Sequence, residues 1–288
     1  MTMGAIHLYL VRHGESVDNV ANLYAGSRDA SLTTHGVLQA RRLGTHVASR
    51  TASAPVSHIF ASNLQRAYRT AEAVRDALSS PPNATEGEAS SSTTGRGVEV
   101  VQLPGLREKH FGSGEGQKVG ARAVGERHVG AETTEAMFTR AKSFVDEYLG
   151  PIFACLDEAE EGAETVVVVA HGVILGVLVR ALRSAKNFGS VVASPEDQLP
   201  MAWSNTGYVE LLVAPVAPLK TTPSKEPATT PTWPGLSIKT VAVNSAEHLQ
   251  GLKKTRGGIG SAKFDEKQKT LNAFFTPTAK KRKHGDEA

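Results

Sequence analysis

Two stretches of this 288-residue chain place a histidine-glycine pair directly after an apolar run: LYLVRHGES, Leu8 to Ser16, and VVVVAHG, Val166 to Gly172. An imidazole serves as nucleophile or base near neutral pH. The glycine after it lets the backbone turn sharply and approach a bound group. Arg12 directly precedes His13, a second arginine follows in Ser62-x-x-x-Arg66, and a carboxylate stands in Leu106-Arg107-Glu108. The guanidinium fork matches phosphate oxygens, a histidine can take up a phosphoryl group, and a carboxylic acid can protonate the departing oxygen. Two histidines, two arginines and a glutamate are what phosphoryl transfer without a metal requires.

Each of these groups follows a run that reads as a strand: Ile6 to Val11, Ser57 to Ala61, Val98 to Gln102 and Thr165 to Ala170. Helical spacing of apolar residues predicts helices over Thr34 to Val47, Asn63 to Leu78, Thr133 to Leu156 (kinked or divided at Pro151) and Val173 to Ala185. Gly207 to Ala214 and Ser237 to Asn244 read as further strands. Strands alternating with helices predict an α/β fold, a three-layer α/β/α sandwich around a mostly parallel sheet. Such sheets bind ligands at the carboxyl ends of their strands, so adjacent strands would bring His13 and His171 face to face. Residues 79–97 read as a flexible insertion, 215–234 as a Pro/Thr-rich loop, and Gly112 to Gly130 as a long surface loop with Lys118, Arg122, Arg127 and His128. The cations of that loop suit either a solvated surface or extra acidic groups on a substrate.

Five ordered blocks resemble a known family: Arg12-His13-Gly14-Glu15-Ser16 with Asn19; Asp29-x-x-Leu32-Thr33 with Gly36 and Gln39-Ala40; Ser62-x-Leu64-x-Arg66-Ala67-x-x-Thr70-Ala71; Leu106-x-Glu108 with Phe111-Gly112 and Glu115-Gly116; and His171-Gly172. Over about residues 5 to 214 the chain resembles the histidine phosphatase superfamily, in its phosphoglycerate mutase-like branch. The resemblance implies that His13 is the nucleophile and carries a phosphohistidine. It implies that Arg12, Arg66 and His171 bind the transferring phosphoryl group and that Glu108 is the proton donor and later the base. Asn19, Ser62, Gly172 and Asn205 would line the substrate site, and no cofactor or metal is implied. To attack, His13 must be neutral, with a backbone acceptor on its other N–H, whereas His171 is allowed a charge. The substrate expected is a small phosphorylated molecule or a phosphoprotein. The chain lacks the long segment by which glycolytic mutases clamp a bisphosphorylated intermediate, which favours a hydrolase over a mutase.

Composition narrows the classes further. One cysteine, Cys155, excludes a disulfide framework and a Cys-rich zinc site; it falls in an amphipathic helix and reads as packing. His13-x-Glu15 has no Cys-x-x-Cys partner for a zinc deaminase, there is no G-x-S-x-G, and Gly112-x-Gly114-x-Gly116 lacks the ending of a P-loop. No long apolar block suggests a membrane span or a signal peptide. From Lys253 onward ten Lys/Arg face four Asp/Glu, a local +6, while the rest holds 22 against 25, a local −3. The basic part, read as a mostly disordered tail (245–288) after one domain (1–244), contains Gln268-x-x-Leu271-x-x-Phe274-Phe275. This resembles the motif that binds the sliding clamp, proliferating cell nuclear antigen: one helical turn would gather Leu271, Phe274 and Phe275 as an apolar plug and leave Gln268 for a polar pocket. Lys280-Lys281-Arg282-Lys283 reads as a nuclear address for an import factor, or as a site for nucleic acid. The expected location is therefore the nucleus, the cytoplasm or both. An adaptor whose domain is only a scaffold is the alternative to an enzyme.

Overall fold

β1 (Ala5–Arg12) and β4 (Ala163–Ala170) lie side by side and parallel at the centre of a seven-stranded sheet, with Arg12 opposite Ala170. The computed structural model describes residues 4–79, 97–120, 128–157, 162–184, 187–192, 202–216, 232–254 and 258–266. With β2 (Val56–Ser62), β3 (Val100–Leu103), β5 (Phe188–Val192), β6 (Tyr208–Pro215) and β7 (Trp233–Ser245), the sheet order is β3-β2-β4-β1-β6-β7-β5. β6 runs antiparallel to both of its neighbours, and every other described pairing is parallel.

The alternation of side chains along the central strands builds two cores. Ile6, Leu8, Leu10, Val166 and Val168 face one side, where α4 (Thr134–Phe144) and α6 (Gly172–Leu182) cover them with Phe144, Leu175 and Leu178. Tyr9, Val11, Val167 and Val169 face the other, where α2 (Thr34–Arg50) and α3 (Gln65–Ser79) supply Leu43, Val47, Ala71 and Val74. The valine run of β4 is thus buried on both faces, as a central parallel strand must be. The expected three-layer sandwich is the observed one.

Local chemistry sets the helix ends. Thr33 caps α2 by accepting from Gly36 N–H at 3.0 Å, and Thr133 caps α4 by accepting from Ala136 N–H at 3.1 Å. Ahead of Pro151 the helix after α4 widens into a π-turn, Val145–Leu149, before α5 (Gly150–Ala154). Proline has no N–H to give, and its ring crowds the preceding turn.

Three expectations change. Cys155 is exposed rather than packed. β5 was not foreseen, because FGSVV is short and mostly polar in surroundings. The chain also does not leave the domain at Asn244: Arg42 donates to Gln250 O, Thr34 N–H to Ala262 O, and Phe264 N–H to Leu32 O, so described residues on both sides of 255–257 lie along α2 and its cap. Most of the 79–97 insertion, most of the 215–234 loop, residues 121–127, and both tail motifs, Gln268 to Phe275 and Lys280 to Lys283, lie outside the described residues. No helix among the described residues is long and apolar enough to cross a membrane.

α2 and α3 approach so closely that a Cβ on Gly44 would stand 2.4 Å from Ala73 O and 3.0 Å from Ala77 Cβ. Gly44→Ala gains about 1 kcal/mol of helix propensity, but the overlap costs about 1–3 kcal/mol. The expected net result is a loss of about 1 kcal/mol in urea unfolding; a stabilised variant would contradict this close crossing.

Candidate active site

The β1–β4 register decides where the first two groups fall. His13 N–H donates to Ala170 O at 3.0 Å, so His13 and His171 leave the sheet side by side, their ring centroids 5.0 Å apart. β2 lies on the other side of β4 and ends at Ser62, whose Oγ is 2.9 Å from His171 Nε2. Arg66 stands in the first turn of α3 just beyond. β3 pairs with β2 and delivers Glu108 after a short turn through Pro104–Leu106. All nine candidate residues of the domain reach one edge of the sheet.

His13 Nδ1 lies 2.7 Å from Gly14 O and so carries the proton, which leaves the Nε2 lone pair free. Gly14 N–H donates to Thr70 Oγ1 at 3.0 Å, and Thr70 donates to Arg66 O at 2.7 Å, tying the His13 turn to α3. The first turn of α2 closes from below: a Cβ on Gly36 would stand 2.0 Å from Glu15 O. Arg66, 1% exposed, donates from its two terminal nitrogens to Arg28 O and Gly26 O at 2.6 and 2.8 Å. Its Nε is buried with no partner among the described residues, as is His171 Nδ1. Arg12 donates to Trp203 O.

Glu108 is placed by something the sequence did not suggest. Its carboxylate accepts from Val173 and Ile174 N–H, at 3.1 and 3.2 Å, at the start of α6, and from Lys109 N–H at 2.8 Å. Asn19 forms a capping box with Ser16 and accepts from Asn205 Nδ2 at 3.1 Å, while Asn205 also donates to His13 O at 3.2 Å. Gly172 opens α6, and a Cβ there would meet only the Trp203 ring, at 4.0 Å. Trp203 and Thr206, whose N–H donates to His13 O, were missed. Neither belongs to a motif, and only their position just before a strand could have drawn attention.

Burial dominates the electrostatics. It pushes His13 well below the ordinary imidazole value, helped by the Arg66 and Arg12 charges, against the Gly14 carbonyl. His171 is depressed in the same way by burial, Arg66 and His13, so the expectation that it could carry a charge does not hold. Burial lowers Arg66 to about 10 and lowers Arg12 as well, each opposed by Glu108. At neutral pH two guanidinium charges therefore face two neutral imidazoles, with the Glu108 carboxyl beside them. This arrangement can hold a tetrahedral anion and present a nucleophilic nitrogen to it.

Comparison with known proteins agrees with this geometry. The family model for the histidine phosphatase superfamily (branch 1) matches residues 8–189, a span that includes Arg12, His13, Arg66, Glu108 and His171. A Schizosaccharomyces pombe protein named "Probable phosphatase" is 28% identical over 272 residues, covering 92% of this chain and 78% of that one. The "Probable phosphoglycerate mutase GpmB" of Erwinia tasmaniensis is 30% identical over 191 residues, covering 62% of this chain and 74% of that one. Phosphoglycerate mutase from Bacillus anthracis shares the fold, with a TM-score of 0.57 and 19% identity over 86% of this chain and 96% of that one.

The depressed histidines give a testable pH dependence. Below about pH 6.5 the unfolded chain takes up protons that folded His171 refuses. The stability it contributes is therefore present above pH 6.5 and lost as pH falls toward the folded value. His171→Gln removes one titrating group, so its unfolding free energy should fall less steeply between pH 6.5 and 5, by about 1 kcal/mol per pH unit. Equal slopes in urea titrations would refute the assignment.

Proposed function

The chain belongs to the histidine phosphatase superfamily, branch 1, and from that premise we propose that it is a metal-independent phosphomonoesterase acting through a phosphohistidine on His13. The observation that carries the reading is the state of His13: buried, neutral, proton held at Nδ1 by Gly14 O, and Nε2 free beside Arg12, Arg66 and His171.

The substrate phosphoryl group sits against the two guanidiniums, with the Arg66 Nε and His171 Nδ1 positions available to its oxygens. His13 Nε2 attacks phosphorus in line with the ester oxygen. The P–O bond breaks, its electron pair leaves with the oxygen, and the protonated Glu108 carboxyl supplies a proton. Glu108, now a carboxylate, takes a proton from water, and the resulting oxygen nucleophile breaks the P–N bond and releases phosphate. Charge on the equatorial oxygens is met by positioned cations in a water-poor pocket, the main demand of phosphoryl transfer.

The mutase reading rests on the name of relatives such as that of Erwinia tasmaniensis. It differs only in the acceptor, a second hydroxyl in place of water. The tail motifs are a separate proposal resting on sequence alone. If Gln268 to Phe275 binds the sliding clamp, Phe274→Ala/Phe275→Ala should abolish its capture of purified clamp; equal recovery would remove that reading.

Full-length protein should hydrolyse an aryl phosphate in the presence of EDTA, and His13→Ala should abolish both turnover and an acid-labile phosphoenzyme trapped from radiolabelled substrate. Glu108→Gln should slow alkyl phosphates by about a hundredfold or more, and aryl phosphates less, since their leaving groups need less protonation. Turnover by His13→Ala equal to wild type would sink the reading.

A further inference from the structure

The segment after β7 reaches the active site from behind. Asn244, at the end of β7, has a positive φ of 47° and accepts from Ser204 N–H at 2.8 Å. Four residues on, His248 is 9% exposed and places Nε2 at 2.8 Å from Thr206 Oγ1. Thr206 gives its own hydroxyl proton to Asn205 O at 2.7 Å, so His248 must be the donor, through Nε2–H. The His248 ring lies against those of His46 and Tyr208. Lys254 then donates to both carboxylate oxygens of Glu15, two residues past His13. That pair is partly exposed and adds little; the His248 contact is the buried one.

What Thr206 holds gives this contact its importance. The loop it belongs to touches Arg12 and His13 at four points. Trp203 O accepts from the Arg12 guanidinium and Gly207 O from Arg12 N–H at 3.0 Å. Thr206 N–H and Asn205 Nδ2 both donate to His13 O at 3.2 Å, and Asn205 also reaches Asn19. Thr206 adopts φ 57°, a left-handed conformation that a β-branched residue avoids unless its surroundings impose it. Its hydroxyl is fixed from one side by Asn205 O and from the other by His248.

We propose that residues 244–254 form a positioning element of the active site, in which His248, by donating to Thr206, holds the 202–207 loop that sets Arg12 and His13. An apolar side chain at 248 would fill the space without supplying the donor. Thr206 would then relax toward negative φ and carry its N–H away from the His13 carbonyl. The kinetic part of the test rests on the phosphatase reading; the phosphate-binding part does not.

The experiment uses the full chain as wild type, His248→Leu, His248→Gln, Thr206→Ala, and the double variant His248→Leu/Thr206→Ala. Aryl phosphate turnover, inorganic phosphate affinity by calorimetry and thermal unfolding are measured for each. His248→Leu should lower kcat/KM about tenfold to a hundredfold, the scale of a small misplacement of reacting groups, and weaken phosphate binding while the melting temperature stays close to wild type. His248→Gln should recover most of both, because its amide N–H can reach the same hydroxyl. The double variant should be no worse than the poorer single one, since both changes remove one hydrogen bond. Wild-type kcat/KM and phosphate affinity in His248→Leu would overturn the proposal, as would additive losses in the double variant or a His248→Gln as impaired as His248→Leu. If His248→Leu fails to fold, Thr206→Ala decides: a loss matching the expected one supports the proposal, and wild-type behaviour refutes it. If the wild type itself shows no turnover, the phosphatase reading fails and phosphate affinity alone decides the positioning.

Discussion

The parallel ladder between β1 and β4 is the constraint from which the site follows. Arg12 pairs with Ala170, and one further hydrogen bond, His13 N–H to Ala170 O, sets two imidazoles from sequence-distant segments at 5.0 Å. A slip of one residue would turn every side chain of β1 to the opposite face, exchanging Leu8 and Leu10 for Tyr9 and Val11 in the core against α6. The hydrophobic pattern that fixes this register is therefore also what aligns the two imidazoles. β4 can lie between β1 and β2 only because its valines bury both faces, and that position gives one strand end access to both His13 and Ser62.

Burying this much charge sets the chemistry. Unpaired guanidiniums are costly in a dry pocket, and here backbone carbonyls take up their donors: Gly26 and Arg28 for Arg66, Trp203 for Arg12. Glu108 offsets part of the remaining positive potential, while its own orientation is fixed by the first N–H groups of α6. Burial, with the same potential adding to it, holds both histidines neutral. One arrangement thus attracts an anion and keeps the His13 imidazole unprotonated. The two effects are linked, because the cations that attract an anion also add to the burial that depresses His13.

The strand-end histidines, both arginines and the glutamate were legible because each sits in a short local pattern: an apolar run, then a polar group at its carboxyl end. The three-layer sandwich was legible for the same reason, as helical and strand periods alternate along the chain. What was not legible depends on contacts between distant segments. That Glu108 meets the start of α6 depends on β3 joining the sheet beside β2, and the neutrality of His171 depends on a burial that no local window reports. Thr206 escaped because left-handed backbone is normally signalled by glycine or asparagine, and threonine signals the opposite. His248 sits in a polar, basic stretch without helical periodicity, so composition assigned it to a tail while three-dimensional packing assigns it to the domain.

That last reversal bears on how the active site is stabilised. A threonine at φ 57° costs about 1–3 kcal/mol, which a glycine at this position would avoid. Glycine would also remove the hydroxyl through which His248 acts, and would widen the conformational range of the loop carrying the Arg12 and His13 contacts. The strained residue with an external clamp is therefore stiffer than the relaxed residue without one. Where two guanidiniums and an imidazole are held close together as here, stiffness of the backbone behind them preserves their alignment. The segment after β7 is the part of the chain that supplies it.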